Sequence, residues 1–146
     1  MNLYEASVSE GAQSFRLGSQ DIGLPASVLT AHPGLAAYDG QKLVVGLRPE
    51  HLPAANGTAG PALAGDVDLV EALGSELMVH FTIDARRVRA EGTVSADEEA
   101  VTESGEGVAR VDPASKIKVG ERARFAINTD GMQFFDPDTG KAIWGA

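Results

Sequence analysis

Asp66-Val67-Asp68-Leu69-Val70-Glu71-Ala72-Leu73-Gly74-Ser75-Glu76-Leu77-Met78-Val79-His80-Phe81-Thr82-Ile83 is the stretch whose reading decides the fold class. In its second half Leu77, Val79, Phe81 and Ile83 alternate with Glu76, Met78, His80 and Thr82, the period of two that marks a half-buried strand. In its first half Val67 and Leu69 alternate with Asp66 and Asp68. The phase then shifts at Val70, which points to a bulge or a strong twist. Gly74-Ser75 separates the two runs and suits a two-residue turn, so the stretch predicts a β-hairpin.

The same reasoning extends outward. Ala123, Phe125 and Ile127 point one way while Arg122 and Arg124 point the other. Asp130-Gly131 then predicts a turn, and Met132 to Phe135 the returning strand of a second hairpin. Asp136-Pro137-Asp138-Thr139-Gly140 is turn chemistry: proline presets φ, the aspartates can bond nearby backbone, and glycine accepts positive φ. Ile143 and Trp144 are expected to close the sheet. Toward the N-terminus, Leu3–Val8, Gln13–Leu17, Asp21–Leu24 and Val28–Ala31 read as short strands, and Lys42–Leu47 as another, ended by Pro49. Helical signal is confined to a turn around Leu35–Tyr38. The sum is an all-β chain of about ten short antiparallel strands.

Composition agrees. The 146 residues leave room for one domain, or for two small intertwined barrels sharing a core. The 17 glycines and 7 prolines are spread along the chain, as many tight turns require. Two stretches read as loops: 53–61, rich in Ala, Gly, Asn and Pro, and the acidic loop 91–107, which carries six of the 21 acids and no Lys or Arg. This loop is expected to be a solvated, mobile excursion.

Several functions are excluded. A net charge of -9 argues against nucleic acid as a partner. Without cysteine there is no disulfide, no thiol catalysis and no thiolate metal site. No apolar run is long enough for a membrane helix, and the N-terminus lacks the pattern of a secretory signal, so a cytosolic protein is expected. Gly140-Lys141 is the one Gly-Lys pair, and Ala142 follows where a phosphate loop needs Ser or Thr. His32, His51 and His80 form no H-x-x-x-H pair and are read as structural or surface residues. Asp66 and Asp68, as alternate residues of a strand, are read as a solvated face rather than an acid–base pair. The Asn56-Gly57-Thr58 sequon carries no weight without a secretory signal.

Val45-Gly46-Leu47-Arg48-Pro49-Glu50-His51-Leu52 resembles the G-[IL]-R-P-E-H/D segment in the C-terminal domain of ATP-binding subunits of carbohydrate ABC importers, of the maltose, trehalose, glycerol-phosphate and multiple-sugar type. Three further pieces match in the same order. Met1-Asn2-Leu3 is similar to the start of that domain, Val70 to Glu76 to its V-E-x-L-G-x-E hairpin, and Phe134 to Gly140 to its terminal F-D-P-x-T-G. The resemblance implies a TOBE-type domain built of small OB-like barrels.

The resemblance also implies a regulatory and dimerisation role within a parent ATPase, without cofactor, metal or catalytic residues in this chain. Mg-ATP would sit in an N-terminal module. The implied partners are a second copy, that ATPase module, membrane permease subunits and a regulatory protein, at the cytoplasmic face of the membrane and without insertion into it. The candidate interface residues are Arg48, Pro49, Glu50, His51, Phe135 and Asp136. Arg48-Pro49-Glu50 is a strand exit whose charged groups can pair with one another or with backbone. Phe134 and Phe135 are neighbours on one strand and must face opposite ways. The resemblance makes Phe135 the outward one. Residues 85–107 look longer and more acidic than in the enteric maltose relatives, so regulatory contacts need not transfer. The competing reading is a stand-alone oxyanion binder of the molybdate type, which the acidity and the lack of a Ser/Ala/Arg/Asn segment disfavour.

Overall fold

A computed structural model describes residues 1–9, 11–55, 60–88, 101–102 and 105–144. Strand β1, Asn2–Ser9, alternates buried and half-buried positions, with Tyr4, Ala6 and Val8 turned inward. A hairpin follows, β2 at Ser14–Leu17 and β3 at Gln20–Gly23. Gly18 is required at its turn. Its φ is +62°, and a Cβ there would collide with the Asp84 carboxylate.

Residues Ala26–Ala31 form a short helix, α1, and Pro33–Tyr38 a 3-10 turn. The strand expected at Val28–Ala31 is therefore helical. The β-branched Val28 and Thr30 suggested a strand, but the turn buries only Val28, and Thr30 Oγ1 donates back to Ala26 O at 3.1 Å. Strand β4, Lys42–Leu47, then runs antiparallel to β1, with Asn2 opposite Leu47 and Tyr4 opposite Val45.

The hairpin read from residues 66–83 is present as β5, Ala62–Ala72, and β6, Leu77–Ile83. Gly74 at its turn has φ +85°, and Leu73 N donates to Glu76 O at 2.9 Å. The register shifts between Val67 and Leu69, so Asp68 is the extra residue. The shift comes earlier than the sequence suggests, and its consequence is large: Leu69 turns outward and Val70 sits opposite the buried Val79.

After β7, Arg87–Val88, and β8, Val101–Thr102, comes β9, Gly105–Val111, paired along its length with β6. The end of the stretch read as an acidic loop is thus strand, while 91–100 and 103–104 lie outside the described residues. Gly105 and Gly107 lie within the stretch that its acidity marked as a loop. They are small because Tyr4, Phe81 and the Ala85 backbone approach too closely to admit a Cβ.

Strand β10, Arg122–Ala126, pairs with β5, whereas β11, Gln133–Phe135, pairs with β4. The expected second hairpin is not one. Asn128 caps a 3-10 turn at Thr129–Gly131, accepting from Asp130 N at 3.2 Å, and the chain passes from one sheet to the other. The alternation identified both strands but says nothing about their partners.

The result is all-β: a seven-stranded sheet with the path β11-β4-β1-β2-β3, to which β7 and β8 attach, and a four-stranded sheet ordered β10-β5-β6-β9. One hydrophobic cluster, with Tyr4, Phe15, Phe81, Phe125 and Phe134 at its centre, fills the space between. Phe81 and Phe125 stack at 5.0 Å. Two side-chain amides join the sheets by imitating a strand neighbour. Asn2 donates to Val108 O at 2.9 Å and accepts from Val108 N at 3.0 Å. Gln20 does the same with Ala64 at 2.8 and 2.9 Å. The Tyr4 hydroxyl donates to Glu106 O at 2.9 Å, and burial pushes its pKa up.

Candidate interaction surface

Where β4 ends, Arg48 keeps extended angles and Pro49 opens a 3-10 turn, Pro49–His51, closed by His51 N donating to Arg48 O at 2.9 Å. Proline fits because the first N–H of such a turn has no internal partner anyway. Arg48 and Glu50 are exposed. The Glu50 carboxyl is held below its ordinary range, first by its own backbone N–H and then by the charges of His51, Arg110 and Arg48, against some desolvation. His51 is half-buried. Among the described residues its Nδ1 is enclosed without a hydrogen-bond partner, and Gly131 lies against the ring so closely that any side chain there would collide with it.

Strand β9 packs on this turn. Its outward Arg110 meets Glu76 of the β5–β6 hairpin at 3.4 Å and also contributes to the field on Glu50. Two motifs far apart in sequence, the strand exit at 48–51 and the hairpin at 70–76, are thereby brought to one surface. Beside them Leu69 and Leu73 are 48% and 52% exposed. Sequence reasoning missed both leucines and Arg110. The available signal was the phase shift, which decides whether Leu69 points in or out.

Phe134 is 1% exposed and meets the buried His32 edge-on at 5.2 Å. Phe135 faces the opposite way, half-buried, as the alternation requires. It lies opposite Val44 on the outer face of the seven-stranded sheet. Its ring, Leu3 and Met1 crowd over Gly46, where a Cβ would lie 3.2 Å from Phe135 Cε2. Met1, Leu3 and Phe135 thus form an apolar patch, beside which Val44 is buried.

Asp136 does different work. Its carboxylate accepts from Asp138 N at 2.8 Å, Thr139 N at 2.9 Å and the Tyr38 hydroxyl. The Tyr38 hydrogen bond is the largest cause holding its pKa down, followed by the two backbone N–H groups. Asp136 thus latches the C-terminal turn to the 33–38 turn, and its groups are engaged within the chain. His32, read from the sequence as a structural or surface residue, is buried and helps close the same end. Its Nδ1 lies 3.0 Å from Ile143 O and its ring stacks on Trp144 at 4.3 Å.

The six candidate residues do not converge on one point. Phe135 is level with Val44, four residues along β4 from Arg48, or roughly 13 Å at a strand's rise. There are two surfaces, an apolar patch around Phe135 and a mixed surface around Arg48, Arg110 and the hairpin tip.

Two family models match the chain in overlapping succession, the MalK OB fold domain over residues 1–52 and the TOBE domain over residues 45–109. They meet at the strand exit described above. The chain matches the C-terminal OB/TOBE region of carbohydrate-importer ATP-binding subunits.

Among curated relatives of this OB/TOBE region is the sn-glycerol-3-phosphate import ATP-binding protein of Chromobacterium violaceum, 29% identical over 98% of this chain and 32% of the relative. The trehalose import ATP-binding protein of Mycobacterium tuberculosis is 28% identical over 77% of this chain and 30% of the relative. The sulfoquinovosyl glycerol transport ATP-binding protein of Agrobacterium fabrum is 30% identical over 72% and 24%. The chain spans about a third of the length of the first of these relatives. Among the described residues no helix is long and apolar enough to cross a membrane.

Proposed function

We propose that this chain is the regulatory and dimerisation part of an ATP-binding subunit of a carbohydrate importer, whose parent protein couples ATP hydrolysis to sugar uptake. In this reading ATP and magnesium belong to the portion of the subunit that precedes the OB/TOBE region, and this chain contributes no catalytic group. It works at the cytoplasmic face of the membrane, in a complex with permease subunits, and a regulatory protein acts through it.

The observation that carries the dimerisation role is the Met1, Leu3 and Phe135 patch. A half-buried Phe turned outward beside two other apolar residues on a sheet face suits an association surface rather than a solvated one. The ordered match to both domains and the ATP-binding importer names of the relatives support the parent activity.

The reading is tested by exchange. The matching third of the Chromobacterium violaceum relative is replaced by this chain, and ATP hydrolysis and substrate uptake are measured in vesicles with that importer's permease subunits. Retention of both activities is expected. A chimera that folds but neither hydrolyses ATP nor assembles with the permeases contradicts the reading.

A further inference from the structure

We propose that the groove between β3 and the start of β5 docks an extended peptide segment of a partner protein. The segment lies there as an added strand, with an apolar residue turned inward and a carboxylate turned outward.

Residues 21–25 form one wall of this groove, and residues 60–62 with Arg124 form the other. Its volume of about 400 Å³ is within the range of ligand sites. At one end the Gln20 amide takes the place of a strand neighbour by bonding both the N–H and the C=O of Ala64. Past that clamp no strand pairing joins β3 to β5 among the described residues.

Both walls turn backbone groups into the opening. Ile127 N donates to Pro61 O, so Pro61 faces β10. Ala126 lies opposite Ala62 but donates away from it, to Pro53 O. The Ala62–Ala126 pair is therefore not hydrogen-bonded, and Ala62 presents its N–H and C=O on the same edge as Ala64, toward β3. On β3 the alternation runs the same way. Leu24 N donates to Gln13 O, so Ile22 and Leu24 bond toward β2 while Asp21 and Gly23 face the outer edge. Among the described residues the backbone groups of Asp21, Gly23 and Ala62 on these edges have no partner. Two unpaired strand edges on either side of one groove are a template for an extended chain.

Side chains decide what that chain carries. Ile22 and Leu24 line the groove and are buried, while Asp21 and Arg124 are exposed. An inserted strand turns alternate residues inward to the apolar pair and outward to the charged one. Asp21 is engaged by Arg16 at 3.2 Å, whereas Arg124 has no ion pair among the described residues. An outward carboxylate matches it. The net charge of -9 weighs against a free anion here, but a peptide carboxylate is held by the backbone pairing around it. β3 and β11 are at opposite ends of the sheet path, so this groove is separate from the Phe135 patch.

The test selects random heptapeptides displayed on phage against this chain, then titrates the enriched peptides into isotope-labelled protein. Expected are sequences with alternating apolar residues and an Asp or Glu, and slowed amide exchange at Asp21, Gly23 and Ala62. Gly23→Pro removes one edge N–H and should weaken binding about tenfold, while Gly23→Ala, whose Cβ meets nothing within 4 Å, should retain it. Arg124→Glu should turn the selected preference from Asp and Glu to Lys and Arg. Melting curves show whether each variant folds; if Gly23→Pro does not, the exposed Arg124→Glu carries the decision. None of these readouts involves ATP or permeases, so their failure is distinct from failure of the importer reading. The proposal is overturned by no enrichment over an unrelated protein, or by enriched peptides that leave the three amides unprotected. Equal binding to a folded Gly23→Pro, an unchanged preference in Arg124→Glu, or full displacement by acetate alone also overturns it.

Discussion

The outer faces of the two sheets expose apolar side chains in different ways. On the seven-stranded sheet, Phe135, Leu3 and Met1 lean over Gly46 and cover one another, leaving Phe135 half-buried. On the four-stranded sheet, Leu69 and Leu73 stand apart, each about half exposed, near the Glu71–His80 hydrogen bond and the Glu76–Arg110 ion pair. A self-covering apolar patch suits a symmetric contact with an identical surface. Two separated leucines with polar and charged neighbours make a mixed, solvated surface instead. One small β-domain can thus present two faces without either compromising the core between them.

The comparison is sharpened most by separating face from core on one strand. Phe134→Ala removes a ring packed against His32 and is expected to cost about 3–5 kcal/mol, whereas Phe135→Ala is expected to leave the melting temperature nearly unchanged. A thermal melt of both variants checks this, and a reversed order would mean that the faces are exchanged.

Next comes the seam that keeps the two faces in fixed relation. Asn2→Ala leaves the Val108 N–H and C=O without their amide partner, at about 1–3 kcal/mol by denaturant unfolding. An unchanged midpoint would show that water replaces the clamp without cost.

The corner beside the Phe135 patch should respond to acid. Asp136 has a depressed carboxyl pKa, so its contribution is present above the unfolded value of 3.8 and is lost as pH falls through the lower folded value. Asp136→Asn should flatten the fall of melting temperature in that acid window while lowering it at neutral pH. A parallel acid limb in the variant would contradict the latch.

The smallest effect belongs to the second face. Arg110→Ala removes a partly exposed ion pair and should shift stability by about 1 kcal/mol or less. A larger loss would show that this ion pair helps to hold the fold together.

Much of this was legible in the sequence. The β5–β6 hairpin, the β4 exit at Pro49, the Asp136–Gly140 turn and the opposed Phe134 and Phe135 all follow from local chemistry, because each involves neighbours in the chain. What was not legible depends on partners distant in sequence. β10 and β11 each alternate as strands should, but their assignment to different sheets is decided by Leu63 and Val45. Gly105 and Gly107 read as loop residues until Tyr4 and Phe81 are seen to fill the space over them. The mixed surface was hidden for the same reason: Arg110 has no motif of its own and gains meaning only by joining Glu76 to the Arg48–His51 turn. The mobility expected of the acidic stretch falls on 91–100 and 103–104, outside the described residues.

The dimerisation role of the Phe135 patch is tested most directly by sedimentation velocity of this chain over a concentration series, beside its Phe135→Ala variant. The account predicts concentration-dependent dimer formation by the wild type and a clear loss of it in a variant that melts at nearly the same temperature. A wild type that stays monomeric throughout, or a variant that associates equally well, would contradict it.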